Sequence, residues 1–531
     1  MKWFKKKSAA QPGVPAAPSQ GARRKRSGAP VALVILLVLS TVFFSLLVGV
    51  GGGIFAVAAL LPVALFFVMA MTGSFSSFHF GGEGAFWAIF LSVVGTAFLD
   101  TISPVHTRGL VTVILMLLSF MAARGLRVFI GESSMGKAMV LLIGVFFITG
   151  LAGAIHSHPH LRATLYQAAY NLKLPLMIGL GFAVTLGDRS LRRFWRVQQA
   201  VLFISVLGCL FQLASPHLYH MVARGGANLG GANPLIPFLP LMAGPFSHPG
   251  VMAFTASLFF CLFVVRQLCG DGNRWENYFT MAGFLGIMLI SGERQETFDG
   301  LIAALILVFI SRVRYSIRAM VAVSLLVVVA AATLLAALGE DRVTRMAAEH
   351  GLAPSTHALE MPRAIMYNDA FYLARREFPL GTGFGTYGGD ASKNFDRSVY
   401  ESLGYHRYWW YRADLYLLDT YWPNLFAESG FLGGGAVLLF AMMMLGYALY
   451  QAWRVTDPGA RLWWRMALVG QLLAFGSALT GPSYGDPSTV GVPFLFFGMA
   501  YMRARQLRLA QGAAAPAPSN GTVAAVPMRF A

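Results

Sequence analysis

The stretch AMVAVSLLVVVAAATLLAALG, Ala319 to Gly339, contains no Lys, Arg, Asp or Glu. An apolar run of about 18 residues or more reads as a helix that crosses a lipid bilayer, because only there does so much hydrocarbon need no polar face. A second uncharged run covers Val31 to Gly82. The chain is 56% hydrophobic and only 12% charged, against about 25% charged residues in a soluble domain. The expected fold is therefore an all-α polytopic membrane protein. About fourteen transmembrane helices are expected, with a large outer (periplasmic) loop containing short helices.

The apolar spans lie near residues 30–50, 53–71, 85–104, 109–123, 138–155, 172–187, 195–214, 250–266, 277–292, 298–311, 319–338, 422–450, 464–480 and 489–503. Lys and Arg gather in cytoplasmic loops of membrane proteins. Here the basic tail before the first span shares its side with Arg124, Arg127 and Lys137, with Arg189 to Arg196, with Arg266 and Arg274, and with Arg312 to Arg318. Arg454, Arg461, Arg465 and the arginines after residue 503 join them. This alternation places both termini in the cytoplasm. It also accounts for the net charge of +18 without any nucleic-acid partner. Residues 1–28 and 506–531 read as flexible cytoplasmic tails. Between them lie spans one to eleven (29–338) with an outer loop at 215–249, a large outer loop at 339–421, and the last three spans (422–505). Cys209, Cys261 and Cys269 form neither a disulfide framework nor a metal spacing.

The outer loops carry the chemistry. The large one holds nearly half of the chain's 23 acidic residues. Long, mixed-charge loops rich in aromatics read as a working surface. In SGERQETFDG (291–300), Arg294 sits at a helix end beside Glu293 and Glu296. It either snorkels to the headgroups or offers its guanidinium fork to an anion. In the 215–249 loop Arg224 is the only Lys or Arg, and His248 precedes Pro249, which opens a helix. Residues Arg363 to Glu377 have helical spacing and end at Pro379; Arg363, Arg375 and Arg376 are further anion contacts or solvated charges. Lys173 stands at the predicted outer edge of the 172–187 span. Asp419 and Glu428 are nine residues apart, too far round a helix to share a face. An acid inside a span, as Glu428 is, marks a functional site. His156, His158 and His160 lack a carboxylate partner and a fixed spacing, so no metal is expected.

PLGTGFGTYGG (379–389) contains G-x-G-x-x-G, but it follows a helix rather than a strand. The dinucleotide-binding context is missing. Gly383 and Gly385 instead let the backbone turn sharply, either to approach a sugar or pyrophosphate closely or to pack the loop onto the membrane. Outward-facing basic residues with carboxylates at a membrane surface suit an anionic lipid substrate, such as a lipid-linked pyrophosphate.

Three segments carry a family likeness: the arginine-glycine loop ending in GPFSHPG, then SGERQET, then FPLGTGFGTYGG followed by DTYWPNLFAESGFLGG. In this order they resemble the O-antigen ligase and Wzy-type polymerase superfamily of bacterial membrane glycosyltransferases, over roughly residues 85–505. The resemblance implies a glycan donor on undecaprenyl pyrophosphate in the inner membrane, and metal- and cofactor-free transfer on the periplasmic side. It also implies a copolymerase and a flippase as partners. By position it gives Arg294 and Arg224 the pyrophosphate. Arg363, Arg375, Arg376, Lys173, His248, Gly383 and Gly385, singled out above from the residues alone, are the further expected substrate contacts. Asp419-Thr420 stands where ligases of the superfamily carry His-Asn. That difference makes Asp419 the expected catalytic base, with Glu428 near it, and favours a repeat-unit polymerase of exopolysaccharide or capsule over a ligase.

Overall fold

The computed structural model describes residues 83–102, 123–157, 159–223, 233–236, 238–311, 361–418, 420–479, 481, 484 and 487–514. It is 80% helical, with no strand among the described residues. The spans expected near 30–50, 53–71 and 319–338, nearly all of 109–123, both chain ends, Arg224 and Asp419 lie outside the described residues.

The helices follow the apolar spans. In order they are α1 (Glu83–Ile102), α2 (Ala123–Glu132), α3 (Ser134–Ser157), α4 (Leu161–Ala183), α5 (Asp188–Ala214), α6 (Pro216–Val222), α7 (Pro249–Leu268), α8 (Arg274–Ser291) and α9 (Arg294–Ile310). After them come α10 (Pro362–Arg376), the short helices α11 (Asp390–Phe395), α12 (Ser398–Ser402) and α13 (Trp409–Arg412), then α14 (Trp422–Arg454), α15 (Pro458–Ser477) and α16 (Pro487–Ala514). Helices α3, α5, α7 and α14 are long and apolar enough to cross a membrane. Two boundaries differ from expectation. Helix α4 starts eleven residues before the predicted span, because LRATLYQAAYNL is polar on one face only and that face meets protein. Helix α16 continues to Ala514, into what reads from sequence as a flexible tail.

Contacts between helix ends fix the relative directions. The end of α3 and the start of α4 both meet the glycine loop: Ala154 and Ala163 lie where side chains on Gly383 and Gly385 would stand. The start of α9 meets the end of α15, where the Gln295 amide donates to the Gly476 carbonyl at 2.8 Å. Trp422, at the start of α14, packs on Phe475 of α15 at 5.9 Å between ring centroids. Helices α7 and α9 run side by side in the same sense, joined by Ser257 to the Glu296 carbonyl (2.7 Å) and Cys261 to the Gly300 carbonyl (3.1 Å). The starts of α4, α7, α9 and α14 and the ends of α3, α8 and α15 thus share one end of the bundle, called the upper end below.

Two cores result. The larger runs along the bundle and is rich in Phe, Leu and Met. The smaller lies under α10 to α13 and is aromatic: Tyr387, Tyr400, Tyr405, Trp410 and Tyr411 pack with Met366 and Leu373 of α10. Tyr387 stacks on Tyr400 at 5.1 Å, and its hydroxyl meets that of Tyr405 at 2.6 Å. Aromatic rings dominate this small unit, and the hydroxyls of Tyr387, Tyr400 and Tyr405 find partners inside it.

Candidate functional site

The glycine loop and α14 depend on each other. Gly430 has φ 65° and ψ −172°, which breaks α14 two residues after Glu428, about half a turn on. A helix broken inside a membrane frees carbonyls that lipid cannot satisfy, at several kcal/mol each. Here the loop satisfies them. The Thr382 amide donates to the Ala427 carbonyl (2.8 Å) and the Gly383 amide to the Glu428 carbonyl (2.9 Å). The Glu428 carboxylate answers in turn, accepting from the amides of Gly385 (2.8 Å) and Tyr387 (3.2 Å). Phe384 donates to the Gly150 carbonyl of α3, and Gly388 to the Tyr400 hydroxyl.

This geometry changes three expectations. Gly383 and Gly385 do not present their backbone to a ligand. Both are buried at positive φ, and a Cβ on either would stand within 2.3 and 2.5 Å of α3 and α4 backbone atoms. Their amides are spent inside the protein, so the loop packs rather than cradles. Glu428, 1% exposed, is engaged in holding that loop. Lys173 is not at a helix edge: with α4 starting at Leu161 it lies mid-helix, 4% exposed, its ammonium 3.1 Å from the centroid of the Tyr170 ring.

Other expected residues do meet at the upper end. Gly292, at φ 75°, ends α8 in the left-handed region, and Arg294 begins α9 two residues later. Asn233 fixes this hinge. Its amide donates to the carbonyls of Leu289 (3.0 Å) and Ile290 (2.8 Å), which the end of α8 leaves open. Gln212 of α5 holds the next part of the same loop, accepting from the amides of Ala243 and Gly244. That loop delivers His248 to the start of α7, where its Nδ1 accepts from the Gly250 amide at 3.0 Å. A Cβ on Gly250 would lie 3.8 Å from the Glu293 carboxylate.

From the other side comes α10. Arg363, in its first turn, lies within electrostatic range of Glu296 and Tyr367. Tyr367 donates to the Leu479 carbonyl (2.7 Å) in the turn after α15, just beyond the last helical turn, where Gly476 receives Gln295. Tyr421 and Trp422 pack on Tyr484 just beyond it. Thr420, the residue after Asp419, is 1% exposed. Ala223, before Arg224, is buried with Tyr219, whose hydroxyl donates to the Gly244 carbonyl.

Arg294, Arg363 and His248 are therefore at one end of the bundle. Arg294 makes no ion pair or hydrogen bond among the described residues. Arg375 and Arg376 are not with them. Twelve residues of helix put them about 18 Å from Arg363. There Arg376 pairs with Glu377 at 2.7 Å, beside exposed Tyr372 and Phe378. Asp369, between the two groups, is half-buried; burial pushes its carboxyl up and a hydrogen bond with Tyr405 pulls it down. No group of three or more His, Cys, Asp or Glu capable of holding a metal occurs among the described residues.

Asn233, Gln295, Tyr367 and Tyr484 were not singled out by sequence. Only Asn233, an Asn before Pro in a Gly-rich loop, carries a local signal there, that of a turn. No protein-family profile matches the chain, and no curated protein matches it.

Proposed function

We propose that this protein is a membrane glycosyltransferase that polymerises lipid-linked oligosaccharide repeat units into a surface polysaccharide. The donor is a glycan on a polyprenyl pyrophosphate. The acceptor hydroxyl attacks the anomeric carbon, the bond from that carbon to the pyrophosphate oxygen breaks, and the electron pair leaves with the lipid pyrophosphate. Basic side chains stabilise that departing charge. The observation that carries this reading is the gathering of Arg294, Arg363 and His248, from three separated segments, at one end of a bundle of apolar helices. An anion that lives in a membrane would meet them there. The three segments that resemble O-antigen ligases and Wzy-type polymerases are the ones that build this end. In this reading the chain crosses the bacterial inner membrane about fourteen times, with both termini in the cytoplasm and the upper end in the periplasm. A copolymerase and a flippase are its expected partners.

Purified protein in proteoliposomes with an undecaprenyl-pyrophosphate-linked repeat unit tests it. A ladder of longer lipid-linked products is expected. Transfer onto lipid A-core alone would make the protein a ligase, and uptake of the substrate without a new product would make it a transporter.

A further inference from the structure

Any glycosyl transfer of this kind needs a group to take the acceptor's proton. His248 is poorly placed to do so. A backbone N–H can only donate, so the Nδ1 that receives the Gly250 amide uses its lone pair there. The neutral ring then carries its proton on Nε2 and faces outward as a donor. Glu428 is 1% exposed, with its Oε1 held by two glycine-loop amides, so an acceptor sugar does not reach it. Glu377 is paired with Arg376, and Asp369 is hydrogen-bonded to Tyr405. Asp299 lies one turn deeper in α9, against Gly476 of α15.

Glu293 and Glu296 remain, both without a side-chain partner among the described residues, and Arg363 lies within electrostatic range of Glu296. Glu296 sits in the first turn of α9, partly exposed, and its carboxylate has no hydrogen bond or ion pair to another residue among those described. A helix turns about 100° per residue, so Glu296 leaves α9 on the side away from Arg294. That side faces α7 and α10: Ser257 reaches the Glu296 carbonyl, and Arg363 lies within electrostatic range of the carboxylate. A donor pyrophosphate held between Arg294 and Arg363 would span the helix start and leave the carboxylate beside it.

Resting on the transferase reading, we propose that Glu296 is the general base that activates the acceptor hydroxyl. The acceptor O–H proton passes to the Glu296 carboxylate as the oxygen bonds to the anomeric carbon. The electron pair of the broken bond leaves on the pyrophosphate, and Glu296 returns its proton to water. The charged groups within electrostatic range of it are Glu293 before α9, Asp299 on α9 and Arg363 on α10; Tyr367 lies beside Arg363, and His248 opens α7 near Glu293.

The test uses full-length protein in proteoliposomes with the lipid-linked repeat unit. Glu296→Gln keeps the shape and removes the base. Turnover is expected to fall at least about 100-fold, while binding of the lipid-linked donor changes less than about threefold. The rise of kcat/KM with pH that a carboxylate base gives the wild type should vanish. If Glu296→Gln does not reach the membrane, Glu296→Asp replaces it; donor binding should persist with turnover down about tenfold or more. Wild-type turnover in either variant would overturn the assignment. So would loss of all turnover in Asp419→Asn with the Glu296 variants still active. If the wild-type protein forms no glycosidic product at all, it is the transferase reading that fails.

Discussion

Arg294 shows how little of a charged residue's role is visible from its own position. It opens α9 at a hinge that Asn233 and Gly292 define, with no ion pair among the described residues. An arginine placed so, at the end of the bundle where Arg363 and His248 also lie, is available to an anion. Arg294→Ala is expected to lower polymer output by about 100- to 1000-fold, the usual effect of removing one donor to a developing oxyanion. The protein should still insert, and lipid-linked single units should accumulate in extracts. Full-length polymer from that variant would remove Arg294 from the site. Asp369 allows a second prediction. Burial raises its carboxyl above the ordinary aspartate value, against the pull of Tyr405, so the folded form holds the proton more tightly than the unfolded chain. The stabilisation is fully present below the unfolded value of about 3.9 and is lost as pH rises through the folded one. The melting temperature of the aromatic unit, followed by near-ultraviolet circular dichroism, should therefore fall over that window. Asp369→Asn should flatten the dependence.

At the scale of elements, the kink in α14 and the glycine loop form one unit. Neither is stable alone: the kink exposes carbonyls, and the loop has a row of amides with no strand or helix to take them. Each net hydrogen bond contributes about 1 kcal/mol, but an amide or carbonyl left buried and unpaired costs about 1–3 kcal/mol. Gly430→Ala puts a side chain at φ 65° and a Cβ 2.5 Å from the Pro379 carbonyl oxygen. Left-handed backbone alone costs a non-glycine residue about 1–3 kcal/mol, so this variant should unfold several degrees lower in detergent. Glu428→Ala should release the amides of Gly385 and Tyr387 to hydrogen exchange, whereas Glu428→Gln, which keeps an acceptor oxygen, should protect them. Equal exchange in the two variants would mean that the carboxylate does not anchor the loop.

At the scale of the molecule, the glycine loop ties the bundle to the aromatic unit: Tyr387 is rooted among Tyr400, Tyr405 and Trp410, while Glu428 and Gly150 hold the neighbouring backbone. If the upper end faces the periplasm, a cysteine at exposed Ser402 should react with a membrane-impermeant maleimide in intact cells. One at exposed Arg454 should react only after lysis. The native thiols Cys209 and Cys261 are buried and should stay silent. The reverse pattern would invert the orientation drawn from loop charge.

By itself the sequence determined the helical class, the helix positions to within a few residues through most of the described chain, and α10 between Arg363 and Pro379. Apolar length and loop charge are local quantities, set by what lipid will accept along one segment. It also singled out a few charged residues, of which Arg294, Arg363 and His248 share one end of the bundle. Tertiary structure decided the rest. G-x-G-x-x-G could be read as a ligand cradle until α3, α4 and the broken α14 were seen to take its amides. Glu428 could be read as a catalyst until those same amides were found on it, and Lys173 as an edge residue until α4 was found to begin at Leu161. Asn233 and Tyr367 acquire meaning only from carbonyls that lie 56 and 112 residues away in sequence. The physical reason is common to all of them. A buried backbone group must find a partner, and which partner it finds depends on how distant segments pack.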